Sequence, residues 1–145
     1  MELDRMVFSA TQRAAMLARA EEILGTPWRA GGRSVSQGMD CLGVLMDLYS
    51  VAGIALPEVG GESRCGVLES MFAPVDGLSA FGDVARWTNR LGGAHVAVVM
   101  CKPGGGKFLV QGCSTRGAHA LPIRHALKEA GMPDVTYYRY TGGAA

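Results

Sequence analysis

The chain has 145 residues, 48% of them hydrophobic and 19% charged, with a formal net charge of +1. A chain of this length suits one domain that buries roughly 70% of its unfolded surface, and its composition excludes a disordered polymer. The near-neutral balance, with no basic face, excludes a nucleic-acid partner, and no apolar run is long enough to span a membrane.

The N-terminal stretch Met1-Glu-Leu-Asp-Arg-Met-Val-Phe8 lacks a basic segment followed by an apolar core and a cleavage site. It does not read as a secretory signal peptide, so the expectation is synthesis in the cytosol, with any work outside the cell requiring another carrier. Cys41, Cys65, Cys101 and Cys113 form no compact framework and are expected as free thiols. There is no CxxC pair, and His95, His119 and His125 do not fall at ligand spacing, so neither a metal site nor a cofactor is expected.

Residues 9–24 predict a first helix. Ser9 and Gln12 fit a capping box, Ala10, Ala14, Leu17, Ala20 and Leu24 recur at helical spacing, and Gly25 and Pro27 end the run. Residues 25–39 read as a glycine-rich loop. Residues 41–52 predict a second helix, apolar almost all round except Asp47, and so central and buried. Glu62–Phe72 reads as a third short helix, and Ala73-Pro-Val-Asp-Gly77 as a turn.

The period then changes. Asp83–Trp87, His95–Cys101, Lys107–Gln111, Ala118–Ile123 and Val135–Tyr140 are short β-type runs between turns. Lys102-Pro-Gly-Gly-Gly106 is a hairpin connection, residues 124–131 form a helical excursion, and the last five residues form a frayed tail. Helices first and strands later predict a single α+β domain, with an antiparallel sheet packed on the N-terminal helices.

Chemistry concentrates at Asp40-Cys41. Asp40 is placed to cap the second helix, and a cysteine at a helix start is biased toward the thiolate by the helix dipole and unpaired amides. His95 opens the most β-like run, Val96-Ala-Val-Val-Met100, where a strand can hold an imidazole rigidly opposite that thiol. Gln111, on the next strand, supplies an amide oxygen able to orient the ring; His119, one strand further, competes for that role. Arg29 and Arg33 flank the expected cleft as candidates for a substrate carboxylate. Trp28 offers an indole N–H or a pocket wall.

Five segments carry a resemblance: Leu24-Gly-Thr-Pro-Trp-Arg-Ala-Gly-Gly32, Gly38-Met-Asp-Cys-Leu-Gly43, Gly82-Asp-Val84, Ala94-His-Val-Ala-Val-Val99 and Phe108-Leu-Val-Gln-Gly-Cys-Ser114. In order and spacing, over residues 12–140, the chain resembles the NlpC/P60 family of cysteine peptidases, and its Gly32-Arg-Ser34 stretch and compact layout most resemble the phage tail-associated branch. The resemblance implies a papain-like α+β fold. It also implies hydrolysis of amide bonds in bacterial cell-wall peptides, commonly between D-glutamate and diaminopimelate. Cys41 would be the nucleophile, His95 the base and Gln111 the orienting residue, with Asp40 shaping the turn.

The resemblance further implies a peptidoglycan peptide as substrate, phage tail proteins as partners and a tail-borne route to the cell wall. Three positions depart from the family pattern. Trp28 stands where tyrosine is common, Leu42 where serine is common, and Gln111 where histidine is more frequent. A binding component that has lost activity, and an acyltransferase on the same scaffold, are the competing readings.

Overall fold

The first helix, α1 (Ala10–Ile23), starts as its sequence predicts: the Ser9 hydroxyl accepts from the Gln12 amide at 3.1 Å, and the Gln12 side chain accepts from the Ser9 amide at 2.9 Å. The computed structural model describes residues 7–58 and 70–142. The face that α1 buries differs from the alanine stripe expected. Met16, Ala20 and Ile23 enter the core, while Ala10, Ala14 and Leu24 are exposed. Alanine matches either face of a helix; methionine and isoleucine bury far more apolar area and decide the orientation.

The loop after α1 holds a small hairpin that glycine-rich sequence concealed, β1 (Arg33–Ser34) paired with β2 (Gly38–Met39). The second helix, α2 (Cys41–Ser50), is capped by Asp40, whose Oδ1 accepts from the Gly43 amide at 2.8 Å. Cys41, Val44, Leu45, Leu48 and Ala52 are all buried. The charge of Asp47 is met by Arg19 of α1, at 2.8 and 3.1 Å.

The expected helix over Glu62–Phe72 falls largely outside the described residues, since 59–69 are among those not described. Its last residue, Phe72, instead begins β3 (Phe72–Pro74), which also replaces part of the expected turn. Pro74 is tolerated there because β3 is an edge strand. The remaining elements follow the sequence reading within a residue or two: β4 (Val84–Thr88), β5 (Ala94–Cys101), β6 (Lys107–Cys113), β7 (Gly117–Pro122), α3 (Ile123–Glu129) and β8 (Thr136–Tyr140).

The six-stranded antiparallel sheet has the order β3-β8-β4-β5-β6-β7. Val84, Val96, Val98, Met100 and Val110 pack with α1 and α2. Ala85, Trp87, Ala97, Val99 and Leu109 point the other way and pack with Ala126 of α3. Burial on both faces explains why Val96–Met100 is an unbroken apolar run rather than an alternating one. The sheet is therefore packed on the N-terminal helices, as expected, and α3 covers part of its second face.

The outer edge of β7 is paired at Ala118 from within the chain. The Gly25 amide donates to the Ala118 carbonyl at 2.8 Å and the Ala118 amide to the Thr26 carbonyl at 2.9 Å. A side chain at Gly117 would collide with the Thr26 carbonyl, so this closure requires glycine. It also delivers Pro27 and Trp28 to the sheet end where α2 begins: the Met39 amide donates to the Pro27 carbonyl at 3.0 Å.

Candidate active site

The central strands part company at one end. The β5–β6 register runs from Cys101↔Lys107 to Val98↔Val110. Beyond that pair, among the described residues, β5 continues to Ala94 against β4 alone, and β6 continues to Cys113 against β7 alone. The opening leaves His95 on one side and Gln111 on the other. The start of α2 abuts it, because Gly112 carries no side chain toward the Asp40 carbonyl and Val44.

A cavity of about 600 Å³ occupies this place. Cys41, His95, Gln111, Trp28 and His119 all line it. Three elements thus bring together the three residues whose chemistry the sequence singled out: the first residue of α2, the second of β5 and the fifth of β6.

His95 is held from two sides. Its ring lies against Trp87, directly opposite on β4, with centroids 4.7 Å apart and planes at 44°. Its Nε2 lies 2.6 Å from Gln111 Oε1. An amide oxygen can only accept, so Nε2 carries the proton and Nδ1 is the basic nitrogen of the neutral ring. Gln111 is buried at 6% exposure, and its own Nε2 lies 3.3 Å from Nε2 of His119. Of the two residues competing for the orienting role, Gln111 touches His95 and His119 stands behind Gln111.

Asp40 is occupied structurally. Besides capping α2, it accepts from the Gly31 amide at 2.9 Å and from Arg33 Nη1 at 2.7 Å. Arg33 also binds Glu58 through Nε, at 2.9 Å to each oxygen, and through Nη2 at 2.6 Å. This pairing raises the guanidinium pKa and holds the Glu58 carboxyl below the usual carboxylate range. Asp40, Arg29 and Arg33 are absent from the cavity lining. Arg29 is exposed on the preceding loop.

Among the described residues, the arginine that does line the cavity is Arg90. It sits in the turn between β4 and β5, packed over Gly131, where an added methyl would lie 3.0 Å from its Nη2. Sequence reasoning missed both Arg90 and Trp87; the available signal was their position just upstream of His95, in a predicted strand and its turn. Cys101 and Cys113 are free thiols, and Cys113 borders the cavity.

A cysteine opening a buried helix, set against an antiparallel sheet that carries a histidine, defines a thiol site on the α+β fold of NlpC/P60 domains. No family model and no curated protein matches the chain. Among solved structures it is similar to the NlpC/P60 domain of the peptidoglycan hydrolase SagA, at 25% identity and a TM-score of 0.57, covering 85% of this chain and 95% of that one. It is also similar to a lipoprotein-like NLP/P60 family protein of Staphylococcus aureus, at 19% identity and a TM-score of 0.65. That match covers 90% of this chain but only 42% of the staphylococcal one, so the chain spans less than half of that protein.

Proposed function

We propose that this chain belongs to the NlpC/P60 family and is a cysteine amidohydrolase that cleaves peptide bonds of bacterial peptidoglycan stems, of the D-glutamyl–diaminopimelate type. The observation that carries this reading is the shared cavity of Cys41, His95 and Gln111, with the imidazole of His95 tied to the amide oxygen at 2.6 Å. The likeness to a peptidoglycan hydrolase domain supports the substrate class.

In this mechanism His95 Nδ1 takes the Cys41 proton, and the imidazolium so formed is stabilised by Gln111. The thiolate attacks the peptide carbonyl carbon. The backbone N–H of Cys41, at the start of α2, supports the developing oxyanion; one such donor is typically worth about 3 kcal/mol. His95 then gives its proton to the leaving amine, and the C–N bond breaks to leave a thioester. Water, deprotonated by His95, attacks that thioester, releasing the new carboxylic acid and the thiol. Delivery to the wall by a phage tail belongs to the same reading and rests on the Gly32-Arg-Ser34 stretch and the compact single-domain layout alone.

The test is incubation of wild-type and Cys41→Ala protein with peptidoglycan fragments, followed by mass spectrometry. New fragments from wild type alone are expected and would name the bond. Intact fragments from both, with folded and reduced protein, would overturn the hydrolase and leave a wall-binding component.

A further inference from the structure

His119 lies directly opposite Gln111 in the β6–β7 register. Its Nε2 is 3.3 Å from Gln111 Nε2, and its Nδ1 is 3.0 Å from the carbonyl oxygen of Gly117. With a neutral ring, these contacts permit one assignment of protons. A backbone carbonyl only accepts, so Nδ1 of His119 carries the hydrogen and Nε2 bears the lone pair. A lone pair facing an amide selects its NH2 group. The Gln111 oxygen is thereby turned the other way, toward His95.

That choice matters because an amide presents opposite polarities at its two ends, and His95 alone cannot select between them. An imidazole meets an amide oxygen with the Nε2–H tautomer and an amide NH2 with the Nδ1–H tautomer. Only the first leaves Nδ1 able to take a proton from a thiol. Cys113 Sγ, 3.9 Å from Nδ1 of His119, is a further weak acceptor for the same hydrogen and leaves the assignment unchanged. Among the described residues no buried side-chain nitrogen or oxygen lacks a partner.

We propose that His119 is a positioning residue: it fixes the orientation of the Gln111 amide and, through it, the tautomer of His95. This rests on the reading of Cys41 and His95 as the reacting pair.

The test removes the need for orientation. A carboxylate at position 111 has two accepting oxygens and no wrong way round, so Gln111→Glu should make His119 dispensable. The readout is the rate of iodoacetamide alkylation at Cys41 at neutral pH, located by peptide mass spectrometry, in wild type, His95→Ala, His119→Phe, Gln111→Glu and the Gln111→Glu/His119→Phe double variant. His119→Phe is expected to slow Cys41 about tenfold in the wild-type background, and less than about twofold in the Gln111→Glu background, a non-additivity diagnostic of a shared network. His119→Leu, equally without an acceptor, serves if the phenylalanine variant does not fold.

An undiminished rate in His119→Phe overturns the proposal, and so does an equal loss in both backgrounds, which would mark a merely structural role. A wild-type Cys41 that reacts no faster than in His95→Ala overturns the reacting pair itself, and the proposal with it. The two failures are distinguishable within one set of measurements.

Discussion

Gly112 of β6 and Asp40 at the head of α2 meet with nothing between them: a methyl group on Gly112 would lie 3.1 Å from the Asp40 carbonyl oxygen and 3.1 Å from Val44 Cγ2. This contact sets how closely the first residue of α2 approaches the opening between β5 and β6. Gly112→Ala must push the helix start away by a few tenths of an ångström, because its nearest obstacle is backbone. The expected cost is about 1–2 kcal/mol of stability and about a tenfold loss in kcat through misplacement of Cys41. Denaturant unfolding and steady-state kinetics on the same preparation check both, and full activity would show that the approach is not limiting.

Asp83 is 1% exposed and receives Arg139 at 2.9 and 2.7 Å, together with the Ala80 amide at 2.7 Å. The pair ties β8 to the entry of β4, away from the cavity. Removing the carboxylate charge leaves a guanidinium with partial access to water. Asp83→Asn should therefore cost about 2–4 kcal/mol, somewhat less than breaking a fully buried pair. Urea unfolding should show the whole effect, with kcat of the folded fraction unchanged.

The Arg33–Glu58 pair predicts a pH dependence. Arg33 depresses the Glu58 pKa in the folded chain, so the folded state holds the ionised carboxylate more firmly than the unfolded one. The resulting stability is fully present above the ordinary carboxylate range and is lost as the pH falls through the depressed folded value. The side chain of Glu58 is 57% exposed, which limits the effect to about 1 kcal/mol or less. Glu58→Gln should lower the thermal midpoint slightly at neutral pH and converge with wild type at strongly acidic pH. Parallel curves across the whole range would refute the assignment.

Arg90 places a positive charge on the cavity wall, whereas Glu129 on the same wall is engaged by Arg116 at 2.7 Å. A stem peptide rich in carboxylates should use Arg90. Arg90→Gln is expected to raise KM about 5–10-fold with kcat nearly unchanged, the signature of uniform binding. Amidating the substrate carboxylates should abolish the difference between the two proteins.

The second half of the chain was legible because turns rich in glycine and proline punctuate runs of valine and leucine, and five strands came out within a residue or two. The stripe on α1 was not, since alanine satisfies either face and the larger Met16 and Ile23 settled the matter. The β1–β2 hairpin is two residues deep and held by tertiary contacts, so no local pattern announces it. At the site, Cys41, His95 and Gln111 could be picked from residue type and local context. The engagement of Arg33 with Glu58, the packing of Trp87 against His95 and the place of His119 behind Gln111 depend on register and on partners distant in sequence. No window of neighbouring residues contains that information.

The hydrogen bonds that join Gly25 and Thr26 to Ala118 have a bearing on how the molecule comes into being. They pair an early loop with a late strand, the kind of long-range contact whose loop-closure entropy slows folding. The wall carrying Trp28 cannot be laid down until β7 has been added to the sheet. Until then the edge of β7 presents open amides and carbonyls to any other strand it meets. During refolding, then, the competition at this edge is between Gly25–Thr26 of the same chain and a neighbouring molecule, and dilution should favour the former.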